Sequence, residues 1–149
     1  MTAKEIMKPG VITISEDASV QDLAALLAKK KISGAPVVDD QNRVVGIVSE
    51  GDLVSQDADI HFPHYIELLG NIIYLESVKK YEERLEKAAA SSVRDIMTAD
   101  VVTVQENAEL HEIATLMTER QVNRVPVLDG DVLVGIITRA DVVRAMARG

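Results

Sequence analysis

The sequence predicts a mixed α/β (α+β) fold: two β-α-β-β-α repeats related by a pseudo-two-fold axis, with a helical insertion between them. Three observations carry this. A series of short motifs occurs twice in the same order, close to 90 residues apart. Within each copy, strand-like apolar runs alternate with runs of helical period. The stretch that separates the copies, 56–92, is long for a connection and patterned like a helix.

The motifs fall in chain order. Lys4-Glu5-Ile6-Met7 returns as Arg94-Asp95-Ile96-Met97. Val11-Ile12-Thr13-Ile14 returns as Val101-Val102-Thr103-Val104 and reads as a first short strand near 11–14. A helix is expected over 18–30, with Leu23, Leu26 and Leu27 on one face; its counterpart carries Leu110, Ile113, Ala114, Leu116 and Met117. Ala35-Pro36-Val37-Val38-Asp39 recurs as Val125-Pro126-Val127-Leu128-Asp129. Val45-Gly46-Ile47-Val48-Ser49 recurs as Val134-Gly135-Ile136-Ile137-Thr138, with one residue lost at the turn between the two strands, where a hairpin tip absorbs it. A second helix then begins near 50 and near 139. A unit of about 50 residues buries little surface alone, so the two are expected to pack together around one shared core.

The insertion opens at Gln56. Pro63 suits the first turn of a helix. Ile66, Leu69, Ile73 and Tyr74 follow, and Tyr74, Val78, Tyr81 and Leu85 form an apolar stripe among charged residues. The expectation is an amphipathic helix ending near residues 90–91, packed on its own module. His61 and His64 stand three apart with Asp57 and Asp59 nearby, but no recognised ligand spacing results, and no metal site is assigned.

Composition narrows function. Of 149 residues, 47% are apolar, enough for a core. With no cysteine, disulfides, thiolate metal sites and cysteine nucleophiles are excluded. No Ser-His-Asp arrangement, paired carboxylates, Walker loop or dinucleotide glycine loop stands out, so the chain is read as a non-enzyme. A net charge of −8 argues against nucleic acid and anionic membrane as partners. No apolar run approaches the roughly 20 residues of a membrane span. The first residues are too polar for a signal peptide, and a cytoplasmic protein is expected.

Gly46-Ile47-Val48-Ser49-Glu50-Gly51-Asp52 and Gly135-Ile136-Ile137-Thr138-Arg139-Ala140-Asp141 carry the chemistry. Ser49 and Thr138 are good N-caps, and an Asp three residues on completes a capping box. The same geometry offers a helix N-terminus to an anion and a carboxylate to the two hydroxyls of a ribose. On the motif alone both readings stand.

The ordered set of motifs, present twice, resembles the cystathionine-β-synthase (CBS) domain, and the pair resembles a Bateman module. The likeness covers about 1–55 and 91–149, so the organisation reads as repeat 1 (1–55), helical linker (56–92) and repeat 2 (93–149). It implies a regulatory module that binds an adenosine-containing ligand (AMP, ADP, ATP or S-adenosylmethionine) with no other cofactor, forms a homodimer and acts on a separate effector protein. A structural dimerisation module with vestigial sites is the alternative. In such pairs each site is shared between the repeats. Site A then comprises Thr138 and Asp141 with Val11, Ile32, Ser33 and Pro36; site B comprises Ser49 and Asp52 with Val101, Val122, Asn123 and Pro126. Nucleotide-binding members hold phosphate with an arginine at the position of Arg124, a role that a planar, bidentate guanidinium suits. Gly34 stands at the matching place in repeat 1. Arg139 adds positive potential beside Asp141 and Glu50 adds negative potential beside Asp52. Site A, with Arg124 and Arg139, is therefore expected to bind phosphate better than site B. Dimerisation is expected through Leu23, Leu27, Ile113, Met117 and the Tyr74–Leu85 stripe.

Overall fold

The computed structural model describes residues 1–60, 65–68, 71–74 and 91–149, with side chains within 1–55 and 91–149. The first repeat runs α1 (Ala3–Ile6), β1 (Ile14–Ser15), α2 (Val20–Lys30), β2 (Gly34–Val38), β3 (Val44–Ser49) and α3 (Glu50–Ile60). The second repeats it as α4 (Val93–Ile96), β6 (Val104–Gln105), α5 (Leu110–Glu119), β7 (Arg124–Asp129), β8 (Val132–Thr138) and α6 (Arg139–Arg148). Each repeat holds a three-stranded sheet. In the first, β1 lies parallel to β2 and β2 antiparallel to β3; β6, β7 and β8 pair likewise. Both sheets carry a register shift at the same place, Val37/Val38 and Val127/Leu128.

Local chemistry explains the boundaries. Ser19 caps α2 by accepting the Asp22 N–H at 2.9 Å, and the Glu112 carboxylate reaches back to the Glu109 N–H at the start of α5. At the β2–β3 tip, Asp39 accepts from the N–H groups of Gln41 and Arg43, both at 2.9 Å. The shortened tip in the second repeat uses Gly130 at φ 63° instead.

There are two cores where the sequence suggests one. Leu23, Leu27, Val37 and Val48 close around Val93, with Ile96 and Met97 packed alongside. Ile113, Met117, Val125, Val127, Ile137 and Val142 close around Ala3, with Ile6 and Met7 alongside. Each core is thus completed by the opening helix of the other repeat. Reciprocal backbone bonds fasten the exchange. Ala3 N–H donates to Ala108 O and Val93 N–H to Ala18 O, both at 2.8 Å; Lys4 donates to Glu106 and Arg94 to Glu16. The exchange also accounts for the Met and Gly of the repeated motifs. Met7 lies against Gly135 and Met97 against Gly46, where a Cβ would collide with the methionine side chain. Every one of these contacts has its counterpart about 90 residues on, which is the pseudo-two-fold relation in atomic terms.

The core also removes the expected dimer face. Leu23, Leu27, Ile113 and Met117 are buried within their own repeats, because the apolar stripe of each helix is used against its sheet. Among the described residues, the large apolar side chains left more than half exposed on the helix surfaces are Val54, Val143 and Met146.

Between the repeats, the helix expected from Pro63 onward is interrupted. Tyr65–Leu68 (β4) pairs antiparallel with Asn71–Tyr74 (β5), Tyr65 opposite Tyr74 and Ile66 opposite Ile73. The two runs are rich in β-branched and aromatic residues and are separated by Leu69 and Gly70, a hairpin pattern that outweighs the helical spacing. His61, His64 and the stripe beyond Tyr74 lie outside the described residues.

Candidate ligand-binding site

A cleft of about 280 Å³ opens where β3 meets α3. Repeat 1 contributes Ile47, Val48, Ser49 and Asp52; repeat 2 contributes Thr98, Gln121, Val122, Asn123, Arg124 and Arg139. The position of each wall follows from the fold. Asp52 sits in the first turn of α3, and its Oδ2 accepts the Ser49 N–H at 2.8 Å and the Ser49 hydroxyl at 3.2 Å. Thr98 is carried in by the exchanged α4 segment and pairs with Ile47 through two backbone bonds, 2.9 and 3.0 Å. Gln121 has φ 54°, the left-handed turn that ends α5 and leads the chain into Val122-Asn123-Arg124. Asn123 O accepts the Arg139 N–H at 2.9 Å, which holds the start of α6 beside the same entry.

The chemistry is that of a polar pocket with an apolar edge. One carboxylate, Asp52, faces two guanidinium groups across the cleft, and Ile47 and Val122 supply apolar wall. Arg124 is half-buried. Burial depresses its pKa, while Glu50 and Asp52 act to raise it; an arginine so placed stays charged. Its Nη2 donates to Ser33 Oγ at 2.6 Å, reaching across to the first repeat. That reach depends on Gly34. A Cβ there would lie 2.6 Å from Arg124 Cζ and 2.7 Å from Val48 O.

Asp141, the counterpart of Asp52, has a different environment. It is 4% exposed. Its Oδ2 accepts the Thr138 N–H at 2.8 Å and the Thr138 hydroxyl at 2.9 Å. Its Oδ1 is bonded by Arg144 and lies 3.7 Å from Lys8 Nζ. Burial pushes the Asp141 pKa up, but the Thr138 bonds and the two cations together hold it below the usual carboxylate value.

These placements rearrange the residues singled out in the sequence. Ser49, Asp52, Val122 and Asn123 of site B come together. Arg124 and Arg139, expected with Asp141, line the Asp52 cleft instead. The reason is that the arginine crosses the pseudo-two-fold axis over Gly34, and the N-terminus of α6 abuts the β7 entry. Ser33 meets Arg124 but its carbonyl is already taken by the Glu50 N–H. Pro36 and Pro126 are fully buried and do not line the cleft. Ile32 packs on the first core. Val11 and Val101 are half-buried and do not line the cleft. Thr138 and Asp141 bond to one another. Sequence reasoning missed Thr98 and Gln121. Thr98 directly follows the repeated Ile-Met motif, and only the exchange of α4 brings it to the cleft.

The CBS domain family model matches the chain twice, over residues 3–59 and 93–148. The chain belongs to the CBS domain family. This tandem CBS protein is 34% identical over 156 residues to the uncharacterized protein MJ1426 of Methanocaldococcus jannaschii, covering 98% of this chain and 91% of that one. It is 32% identical to the chloroplastic CBS domain-containing protein CBSX2 of Arabidopsis thaliana over 97% of its own length, and spans 63% of that protein. Among solved structures, CBSX2 in complex with AMP superposes with a TM-score of 0.75 at 29% identity, covering 99% of this chain and 96% of that one. Among the described residues, no helix of this CBS pair is long and apolar enough to cross a membrane.

Proposed function

We propose that this CBS pair is a ligand-sensing regulatory module, not a catalyst, which binds an adenosine-containing ligand in the Asp52 cleft and acts on a separate effector protein. The observation that carries the reading is the convergence of Asp52 from one repeat with Arg124 and Arg139 from the other. A carboxylate accepts hydrogen bonds from vicinal ribose hydroxyls, and two guanidiniums bind phosphate or another anion. The volume lies near the lower end of small-molecule sites, about 300–1,000 Å³, which suits one nucleoside with a short phosphate. AMP is the first ligand to try, since the similar CBSX2 binds it; ADP, ATP and S-adenosylmethionine share the nucleoside.

A ligand that binds only the folded protein stabilises it, by about 2.7 kcal/mol at a hundredfold excess over Kd. AMP or another adenosine compound is expected to raise the melting temperature by several degrees, and guanosine, cytidine and uridine nucleotides to do less. Equal shifts for all four bases, or none for any adenosine compound, would reject the reading.

The module also acts as a homodimer in this proposal. Val54, Val143 and Met146 stand exposed on α3 and α6, and a largely apolar hollow of about 520 Å³ lies between α5 and α6, lined by Ala114, Met117, Val142 and Met146 together with the polar Thr118, Gln121 and Arg139. Burying such a surface in a second copy removes it from water. Sedimentation at micromolar protein is expected to give a dimer, and Val143→Glu with Met146→Glu a monomer. A monomer from the unaltered chain would refute it.

A further inference from the structure

The two halves of the pair present the same Ser/Thr-x-x-Asp turn, yet only one carboxylate is open to a guest. Asp52 has no ion-pair partner among the described residues. Asp141 has two, and their positions explain the difference. Lys8 stands where the other half has Thr98, on the exchanged segment that pairs with Ile136 through two backbone bonds of 3.0 and 3.1 Å. Arg144 stands one turn along α6, where the other half has the uncharged Ser55. Both cations engage Oδ1 and the Thr138 cap engages Oδ2, so neither oxygen of Asp141 is left for a pair of ribose hydroxyls. A diol would have to displace the Arg144 ion pair and the nearby Lys8 ammonium, and its uncharged hydroxyls bring no positive charge to replace them.

We infer that Lys8 and Arg144 act as an in-chain substitute for ligand on Asp141, so that the protein takes one adenosine ligand per chain, in the Asp52 cleft alone. This rests on the function proposed above and fixes its stoichiometry. The substitute is carried partly by the first eight residues, so the element that completes the second core also closes the second site.

The test replaces the two cations by their counterparts, Lys8→Thr with Arg144→Ser. Calorimetric titration with AMP is expected to give one equivalent per unaltered chain and two per double variant. Two equivalents on the unaltered chain overturn the inference, as does a folded double variant that still takes one. A second readout needs no ligand. The carboxyl carbon of Asp141, followed by NMR, is expected to titrate at higher pH once the cations are gone, and an unchanged midpoint overturns the inference. Should the double variant fail to fold, Lys8→Thr alone, at an exposed lysine, is expected to raise the midpoint partway. If the unaltered chain binds no adenosine compound while the midpoint still moves, the proposed function fails and the closure of Asp141 by its cations stands.

Discussion

Asp52→Ala is expected to weaken AMP binding about 10- to 100-fold, while Asp141→Ala leaves the affinity within about threefold and lowers the melting temperature instead. A hydrogen bond to a charged group is worth roughly 1.5–3 kcal/mol, and each 1.4 kcal/mol is a factor of ten in Kd. Asp52 lines the cleft; Asp141 is spent on Thr138, Arg144 and Lys8, so its loss removes the cap of α6 and leaves two cations unpaired without touching a guest. Arg124→Ala separates the parts of the ligand. It is expected to cost AMP a comparable factor and to leave adenosine unaffected, because adenosine has no phosphate for the guanidinium to hold. Calorimetry on the three variants with both ligands measures this. A tight site that disappears with Asp141 and survives loss of Asp52 would restore the arrangement the sequence suggests and reject the one drawn from the fold.

Deleting residues 1–8 is expected to destabilise the second repeat, not the first to which those residues belong in sequence. Ala3 is fully buried in the second core, with Ile6 and Met7 against it. Full burial of one such side chain is worth roughly 1.5–3 kcal/mol, and Ile6 and Met7 are partly buried, so withdrawing the two costs about 3 kcal/mol at most. The Ala3–Ala108, Lys4–Glu106 and Lys8–Ile136 backbone bonds go with them. Hydrogen exchange resolves the two halves. Amides in 104–148 are expected to lose protection before those in 14–49. Uniform loss, or loss confined to the first repeat, would mean that the exchanged helices are not what completes each core.

Much of the architecture was legible because it rests on local signals repeated twice. The strands around Pro36 and Pro126, the caps at Ser49 and Thr138, and the helices bearing Leu23 and Ile113 all follow from period and turn chemistry. Long-range geometry was not legible. Nothing in Lys4-Glu5-Ile6-Met7 says which sheet it will cover, and the placement of Lys8 and Thr98 depends on that. Arg124 stands out in the sequence, but its direction across the axis depends on the empty space at Gly34, which no motif reveals. In 65–74 two local signals compete: spacing suggests a helix, while residue type and Gly70 favour paired strands.

The meeting of Gly34 and Arg124 constrains how such a protein can arise from a doubled gene. Immediately after duplication, both halves carry the same residue at every position. Most positions never notice their twin. A position on the axis does, because it faces its own copy at close range. Here any side chain at 34 would intrude on the guanidinium and on the Val48 carbonyl. Arginine in both halves would place two cations in the room for one. With arginine at 124, position 34 is therefore held to glycine. The difference between the two halves at this point has a steric ground at the axis that holds whatever ligand they bind.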